Sequence, residues 1–258
     1  MNYEERRIAG SLKARASKVA EVARLKFWLF QKKSAADAFT ALKLDQHMDD
    51  VLLSPKLNTL STYVDMFNKK FPDSQVSLAG TLIAKYGDIA VAKALVRAKE
   101  TSRSKDIASK LQTHQLEGWL NSHKSVEDVF TLLKIKDDGL LALTSRKLVT
   151  LDEYIQLFNR KNPQCQTNLF DALRGGFGEG EFARWYGWLT YNPSTAKKAL
   201  EYLNQLFKAW LKKDYDPTTL LKKVFDVPGN NLASANPQAK FIQHEYELFL
   251  RREKRINT

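Results

Sequence analysis

The chain has 258 residues, a formal net charge of +12, 43% apolar residues and 27% charged residues. This balance is typical of a folded globular domain and excludes a chain that is disordered throughout. No apolar run approaches the ~18 residues that a membrane-spanning helix needs, so we expect no such span.

The first predicted element is an N-terminal helix, which together with the acidic and basic residues before it occupies residues 1–24. Ile8, Leu12, Val19, Val22 and Leu25 fit one amphipathic helix, which we expect to cover the exposed end of the next unit. The first ten residues are charged and lack the apolar stretch of a secretory leader. We therefore expect either a cytosolic chain or a mature form that has lost its leader.

A repeat of 91 residues follows, and it is the strongest signal in the sequence. Shifting the chain by 91 positions aligns residues 25–115 with residues 116–206 without a gap, and the register continues into residues 207–258. Trp28, Trp119 and Trp210 coincide. The sequence therefore predicts two full repeats and a truncated third. We call them repeat one, repeat two and the half repeat.

Within each repeat, apolar residues recur every three or four positions, as in Leu57, Leu60, Tyr63 and Phe67. Proline, glycine and aspartate interrupt the pattern at turns. Each repeat is predicted to form four or five short helices in a small bundle, giving an all-α protein. No linker separates the repeats, so we expect continuous helices to join them into a rigid rod or superhelix.

The repeated pattern resembles the LWY tandem repeats of oomycete RXLR-type effectors. Its three parts are L-x-x-W-L-x4-S-x2-D-x-F-x2-L-K-[LI], then L-x2-L-x2-Y-x3-F-N, then L-x3-L-x3-[YF]-G. Glu4-Glu5-Arg6 resembles the EER element that follows the RXLR motif in that family, and a chain beginning just after that motif would lack it. One departure is that Leu60 and Leu151 stand where the family's W segment has tryptophan.

The resemblance implies a secreted virulence protein that acts in the cytoplasm or nucleus of plant host cells and suppresses immunity. Family members bind host proteins, and some tandem-repeat members capture the scaffold subunit of protein phosphatase 2A. The resemblance implies no enzymatic activity and no cofactor. We expect a monomer whose partner is a host protein, with that scaffold subunit as the leading named target.

Residues that recur at the repeat period are predicted to form the core. They are Trp28, Trp119, Trp210, Tyr63, Tyr154, Tyr86 and Phe177.

Residues that could carry catalysis are scattered through the sequence. His47, His114, His123 and His244 form no metal-binding or catalytic spacing, and the single cysteine, Cys165, lies in a predicted turn. One cysteine excludes an intramolecular disulfide and a cysteine-based zinc cluster. The glycine-rich stretch 175–180 lacks the Lys-Ser/Thr pair of a phosphate-binding loop. The repeat predicts an interhelical turn there, with Gly178 ending a helix.

The basic charge raises a second hypothesis, a helical RNA-binding protein that suppresses RNA silencing. Residues 1–33 hold nine Lys and Arg against three Asp and Glu, and residues 251–255 are also basic. These charges lack the interleaved aromatic residues that stack on bases. We therefore favour solvated helix faces, and RNA binding stays the alternative.

Function is expected where the repeats differ. Trp185, Trp188 and Tyr191 of repeat two replace Ala94, Arg97 and Glu100 of repeat one. Tryptophan and tyrosine dominate the residues that contribute most to protein interfaces, so these three are the candidate partner-binding residues. The competing interpretation is that they only cover a neighbouring helix.

Overall fold

The fold comes from a computed structural model that describes the backbone of residues 3–256. Side chains are described for residues 15–254 apart from Leu143. Within residues 3–256 every regular element is a helix, so the all-α prediction is confirmed. The short 3-10 helices are Pro72–Ser74, Lys136–Thr144 and Leu232–Ser234. The α-helices are α1 Tyr3–Phe30, α2 Ala35–Ala41, α3 Met48–Leu53, α4 Pro55–Lys70, α5 Leu78–Tyr86, α6 Asp88–Lys99, α7 Lys105–Asn121, α8 Val126–Leu132, α9 Arg146–Lys161, α10 Leu169–Phe177, α11 Glu179–Leu189, α12 Ala196–Lys212, α13 Pro217–Val224 and α14 Pro237–Ile256.

The helices form two compact units, Met1–Gln115 and Leu116–Thr258. The boundary falls inside α7, at the position where the sequence predicts the end of repeat one. In unit one, α2 and α5 pack on α4, while α3 packs on α6. In unit two, α8 packs on α9 and α10, and α11 contacts both α12 and α14.

The recurring tryptophan and tyrosine form the same pair in all three copies. The Trp28 and Tyr63 rings meet edge to face at 5.8 Å between centroids, and Trp119 and Tyr154 do so at 6.0 Å. Trp210 pairs with Tyr246 at 5.5 Å. Edge-to-face contacts are a favourable geometry for aromatic rings, and all the rings in these pairs are buried.

Each of these tyrosines also closes the turn between two helices. The Tyr63 hydroxyl donates to the Lys33 carbonyl at 2.7 Å, and the Tyr154 hydroxyl donates to the Lys124 carbonyl at 2.5 Å. In the half repeat, the Tyr246 hydroxyl donates to the carbonyl of Tyr215 at 2.8 Å. The hydroxyl therefore satisfies a backbone acceptor left free where the preceding helix ends.

Left-handed residues recur at the repeat period as well. Lys32, His123 and Asp214, spaced by 91 residues, have φ near +54° and follow the ends of α1, α7 and α12. A left-handed residue just beyond a helix is a common way to end it. Lys43 and Lys134 form a second set, whose third member, Asp226, comes 92 residues after Lys134.

The extra residue of the half repeat lies before Asp226. Helix α13 has eight residues where α2 and α8 have seven. The same shift explains why Tyr246 follows Tyr154 by 92 residues.

Helix α12 serves both repeat two and the half repeat. Its Tyr202 ring lies 5.2 Å from that of Tyr186 in α11, while its Trp210 packs on Tyr246 in α14. The sequence predicted this continuous helix. The extended rod or superhelix stays a prediction.

The predicted N-terminal cap differs from the structure. Residues 15–24 lie in α1, but Val19 and Val22 are exposed, and burial begins at Leu25. Lysine, arginine and glutamate flank the two valines, so this stretch offers too little apolar surface to pack against a bundle. Ile8 and Leu12 lie outside the described side chains, as do Glu4, Glu5 and Arg6.

The glycine-rich stretch is also more ordered than expected. Gly175 and Gly176 lie inside α10, and the turn consists of Gly178 with φ +85°. Glycine is needed at two neighbours for packing. A Cβ on Gly176 would lie 2.4 Å from the Phe130 ring, and one on Gly180 would lie 2.3 Å from the Val224 carbonyl oxygen.

Capping boxes make part of the stability depend on pH. At the start of α8, the Ser125 backbone N–H and hydroxyl donate to the Asp128 carboxylate at 2.8 and 2.9 Å and lower the pKa of Asp128 below 3.8. A lowered pKa in the folded state gives stability that is complete above the unfolded value and is lost as the pH falls towards the folded value. We expect Asp128→Asn to lower the free energy of unfolding at neutral pH and to change it little in acid, where Asp128 itself is protonated. Urea unfolding of the unmodified chain and of the variant, from neutral to acidic pH, measures this effect. A difference in stability that is independent of pH would contradict the prediction.

Candidate functional site

A groove in unit two lies between α11 and α14 and has a volume of about 410 Å³. We call it the α11–α14 groove. Its lining is mainly apolar and aromatic, as in most ligand and partner sites. The lining residues are Arg184, Gly187, Trp188, Tyr191, Pro237, Gln238 and Phe241.

Two aromatic residues of the groove are exposed. Trp188 exposes 53% of its surface and Tyr191 exposes 70%. The Tyr191 ring, just beyond the end of α11, lies 5.7 Å from the ring of Phe241 in α14. Large apolar side chains left in water are the usual mark of a surface that is covered by a partner.

Gly187 allows α14 to approach α11 closely beneath the groove. A Cβ at this position would lie 2.7 Å from Cδ1 of Ile242, so the end of that side chain would have to shift to make room. Repeat one has Val96 at the equivalent position. The backbone of Gly187 is helical, so its conformation does not require glycine. The reason for glycine here is the close approach of the two helices.

Trp185 differs from the other two predicted binding residues. It is half-buried, and its ring packs edge to face on Phe177 at 4.6 Å. Repeat one has a buried Met48 in α3 and a buried Ala94 in α6, two helices that pack together. At the equivalent positions repeat two has Gly139 in its 3-10 helix and Trp185 in α11, so the larger residue of the pair lies on the other element. Trp185 therefore contributes to the packing of repeat two through Phe177, and its role in partner binding stays a prediction.

Comparison of the repeats shows how the surface of α11 has changed. In repeat one the Arg97 guanidinium forms an exposed ion pair with Asp49, with Nη2 and Oδ1 2.7 Å apart. The equivalent residues of repeat two are Trp188 and Leu140. Next to them, Glu100 and Asp50 of repeat one correspond to exposed residues of repeat two, Tyr191 and Leu141.

Four charged positions of one bundle are thus apolar in the other. The 3-10 helix that carries Leu140 and Leu141 packs on α11, and an ion pair between Lys136 and Glu181 at 3.3 Å helps to hold it there. We call Leu140, Leu141, Trp188, Tyr191 and Phe241 together the apolar face.

Sequence reasoning missed Leu140, Leu141 and Phe241. The first two could have been found, because the 91-residue alignment already sets them against Asp49 and Asp50. Phe241 could not, because it lies in the half repeat and its contact with Tyr191 depends on how α14 packs on α11.

The charge beside the groove is positive. The Arg184 guanidinium carbon lies 5.7 Å from the centre of the Phe225 ring, and no carboxylate pairs with it among the described side chains.

Beneath the groove the core is aromatic, and burial raises the pKa of Tyr202 to about 12 and that of Tyr186 still further. Both phenols are therefore neutral at physiological pH.

The other residues screened from the sequence lie apart from this groove. Cys165 is exposed, and so are His47, His114, His123 and His244. Over the described part of the chain, no three His, Cys, Asp or Glu side chains gather to hold a metal ion. No helix in residues 3–256 is long and apolar enough to cross a membrane.

Comparison with known proteins finds relatives in sequence and in fold. No model of a known protein family matches the chain. An RxLR effector protein of Phytophthora infestans is 34% identical over 83% of this chain and 31% of its own length. The RxLR effector protein PSR2 of Phytophthora sojae is 32% identical over 84% of this chain and 32% of its own length.

A solved structure extends the similarity to the fold. The crystal structure of PcRxLR12 matches with a TM-score of 0.70 and 26% identity over 96% of this chain and 60% of that chain. The chain spans about a third of the length of these curated relatives.

The fold and the matches together define a class, the all-α effectors built from tandem helical repeats. The chain is homologous over most of its length to RxLR effector proteins of Phytophthora, as the repeated pattern and the EER-like triplet predicted.

Proposed function

We propose that the chain is a secreted virulence effector that enters plant host cells and suppresses immunity by binding a host protein through the apolar face. One observation carries the proposal: four positions that are charged in repeat one are exposed and apolar in repeat two, on the same fold. The names of the relatives support the effector role.

The physical argument concerns what these substitutions do for the protein alone. Apolar side chains that stay in water contribute little to folding and raise the risk of aggregation. Repeat one carries charged residues at the same four positions, so the bundle folds without apolar side chains there. An exposed tryptophan and tyrosine beside leucines are, in contrast, what a protein interface uses for most of its affinity.

The scaffold subunit of protein phosphatase 2A is the first partner to test. The LWY resemblance brings in this subunit, because some tandem-repeat members capture it. The proposed place of action is the host cytoplasm or nucleus.

The experiment transfers the surface of repeat one onto repeat two. The double variant Leu140→Asp, Trp188→Arg recreates the pair that Asp49 and Arg97 form, so we expect the variant to fold. Capture of host proteins from plant extract, the phosphatase scaffold included, should fall at least about 30-fold, as when an interface hot spot is lost. The melting temperature should change little, because the replaced residues are exposed.

The matched control breaks the original pair in repeat one. Asp49→Asn, Arg97→Gln removes an exposed ion pair of little energetic value and leaves the apolar face intact, so capture should persist. Capture that survives the repeat-two swap, or that disappears on nuclease treatment and with rising salt, would overturn the proposal. The second of these results would favour the RNA-binding alternative.

A further inference from the structure

The α11–α14 groove has the dimensions of a seat for a helix. Arg184, Trp188 and Tyr191 succeed one another by four and three residues along one wall, and Gln238 and Phe241 by three along the other. The seven steps from Arg184 to Tyr191 span about 10 Å, or two turns of helix, at the rise of an α-helix. A segment lying along the groove would therefore meet its apolar contacts at helical spacing.

The backbone around the groove offers few groups for an added strand to pair with. Most of its lining residues lie in α11 and α14, where backbone groups bond largely within the helices, and Pro237 has no N–H. Tyr191, just beyond α11, donates its N–H to the Trp188 carbonyl at 3.2 Å. An extended peptide here would bury backbone groups without partners, whereas a helix satisfies its own.

The charge of the groove sets the sign of the partner. Arg184 lies at the wall with its guanidinium unpaired by any carboxylate of the described residues, and the chain carries a net charge of +12. A carboxylate opposite Arg184 would gain a charge-assisted hydrogen bond, while a lysine would be repelled.

We propose that the occupant of the α11–α14 groove is an amphipathic α-helix of the host partner. Its apolar residues are spaced i, i+3 or i+4, and i+7, and an aspartate or glutamate lies opposite Arg184. The inference rests on the proposed function and specifies the chemistry of its partner.

The test uses two displayed peptide libraries of equal size, selected on the full chain. One library is a helix-forming sequence randomised at the apolar positions and at a flanking position that allows Glu or Lys. The other is a linear library with proline at alternating positions, which cannot form a helix. We expect enrichment from the helical library with Glu preferred over Lys, and peptides that become helical by circular dichroism when bound.

Variants of the chain assign the binding to the groove. Trp188→Arg should weaken the selected peptides at least about 30-fold, and Arg184→Glu about 10-fold with the preference changed from Glu to Lys. Lys208→Glu alters the net charge by the same amount at an exposed position on α12, and it should leave binding unchanged. Melting curves establish that each variant is folded.

The contrary outcomes separate the two proposals. Enrichment from the proline library alone, with the same dependence on Trp188, would overturn the helical occupant and leave the proposed function standing. A preference for Lys in the unmodified chain would overturn the acidic partner. Binders that ignore Trp188→Arg, or the absence of any binder, would overturn the groove as a helix seat. Host capture by the Leu140→Asp, Trp188→Arg variant then decides the proposed function separately.

Discussion

Trp210→Ala is expected to lower the free energy of unfolding of unit two by about 3–5 kcal/mol, the usual range for removing a buried tryptophan. The Trp210 side chain has no exposed surface, and its ring contacts those of Phe207 and Tyr246 at about 5.5 Å. Its indole N–H also donates to the Glu179 carboxylate at 3.1 Å. Alanine leaves a cavity between α12 and α14.

Urea unfolding followed by circular dichroism at the helical band measures this loss. Trp188→Ala is the matched control, because it removes the same side chain from an exposed site and should change stability by about 0.5 kcal/mol or less. Equal losses for the two variants would mean that Trp210 is not a core residue. Trp119→Ala, at the equivalent position of repeat two, tests whether the loss repeats with the period.

Gly178→Ala is expected to cost about 1–3 kcal/mol because of its backbone conformation alone. Gly178 joins α10 to α11 with φ +85° and ψ 145°, a region essentially confined to glycine. A Cβ there would meet no other atom within 4 Å, so the whole cost is conformational. Gly87 has the same role in repeat one, at φ +80°, and Gly87→Ala should behave alike.

The control for this prediction lies three residues earlier. Gly175 is inside α10 with open space around its Cα, so Gly175→Ala should stabilise the protein by about 0.5–1 kcal/mol through helix propensity. Thermal unfolding of the two variants should therefore move in opposite directions. A shift of the same sign in both would contradict the assignment of Gly178 as the single turn residue.

The fold could be predicted from the sequence because the same contacts are encoded more than once. Trp28, Trp119 and Trp210 recur at the period, and so do the serines that begin α2 and α8. A residue that recurs while its neighbours change is under a packing or capping constraint, and helical spacing then gives the face that it buries.

Residues that occur once were harder to place. Trp185 and Trp188 are three positions apart on one helix, and only the packing of the first ring on Phe177 distinguishes a half-buried tryptophan from an exposed one. The valines of α1 have helical spacing but too few apolar neighbours to be buried. Periodicity predicts that a face is apolar, and it does not say whether another element is present to cover it.

The candidate site lay partly within reach of the sequence. Trp188 and Tyr191 were found from the difference between repeats, and Leu140 and Leu141 could have been found in the same way. The groove itself could not, because it depends on the approach of α14 to Gly187, a contact between residues about 55 positions apart in the chain.

The pairing of tryptophan with the later tyrosine bears on how tandem effectors of this kind are divided for expression. Trp210 is covered by Tyr246, so a fragment ending between them would expose an indole that the intact chain buries. Cut sites chosen from sequence periodicity alone, immediately before each tryptophan segment, would also divide α12, which packs on α11. Fragments that begin before one tryptophan helix and end beyond the following tyrosine helix keep every such pair, at the cost of overlapping pieces.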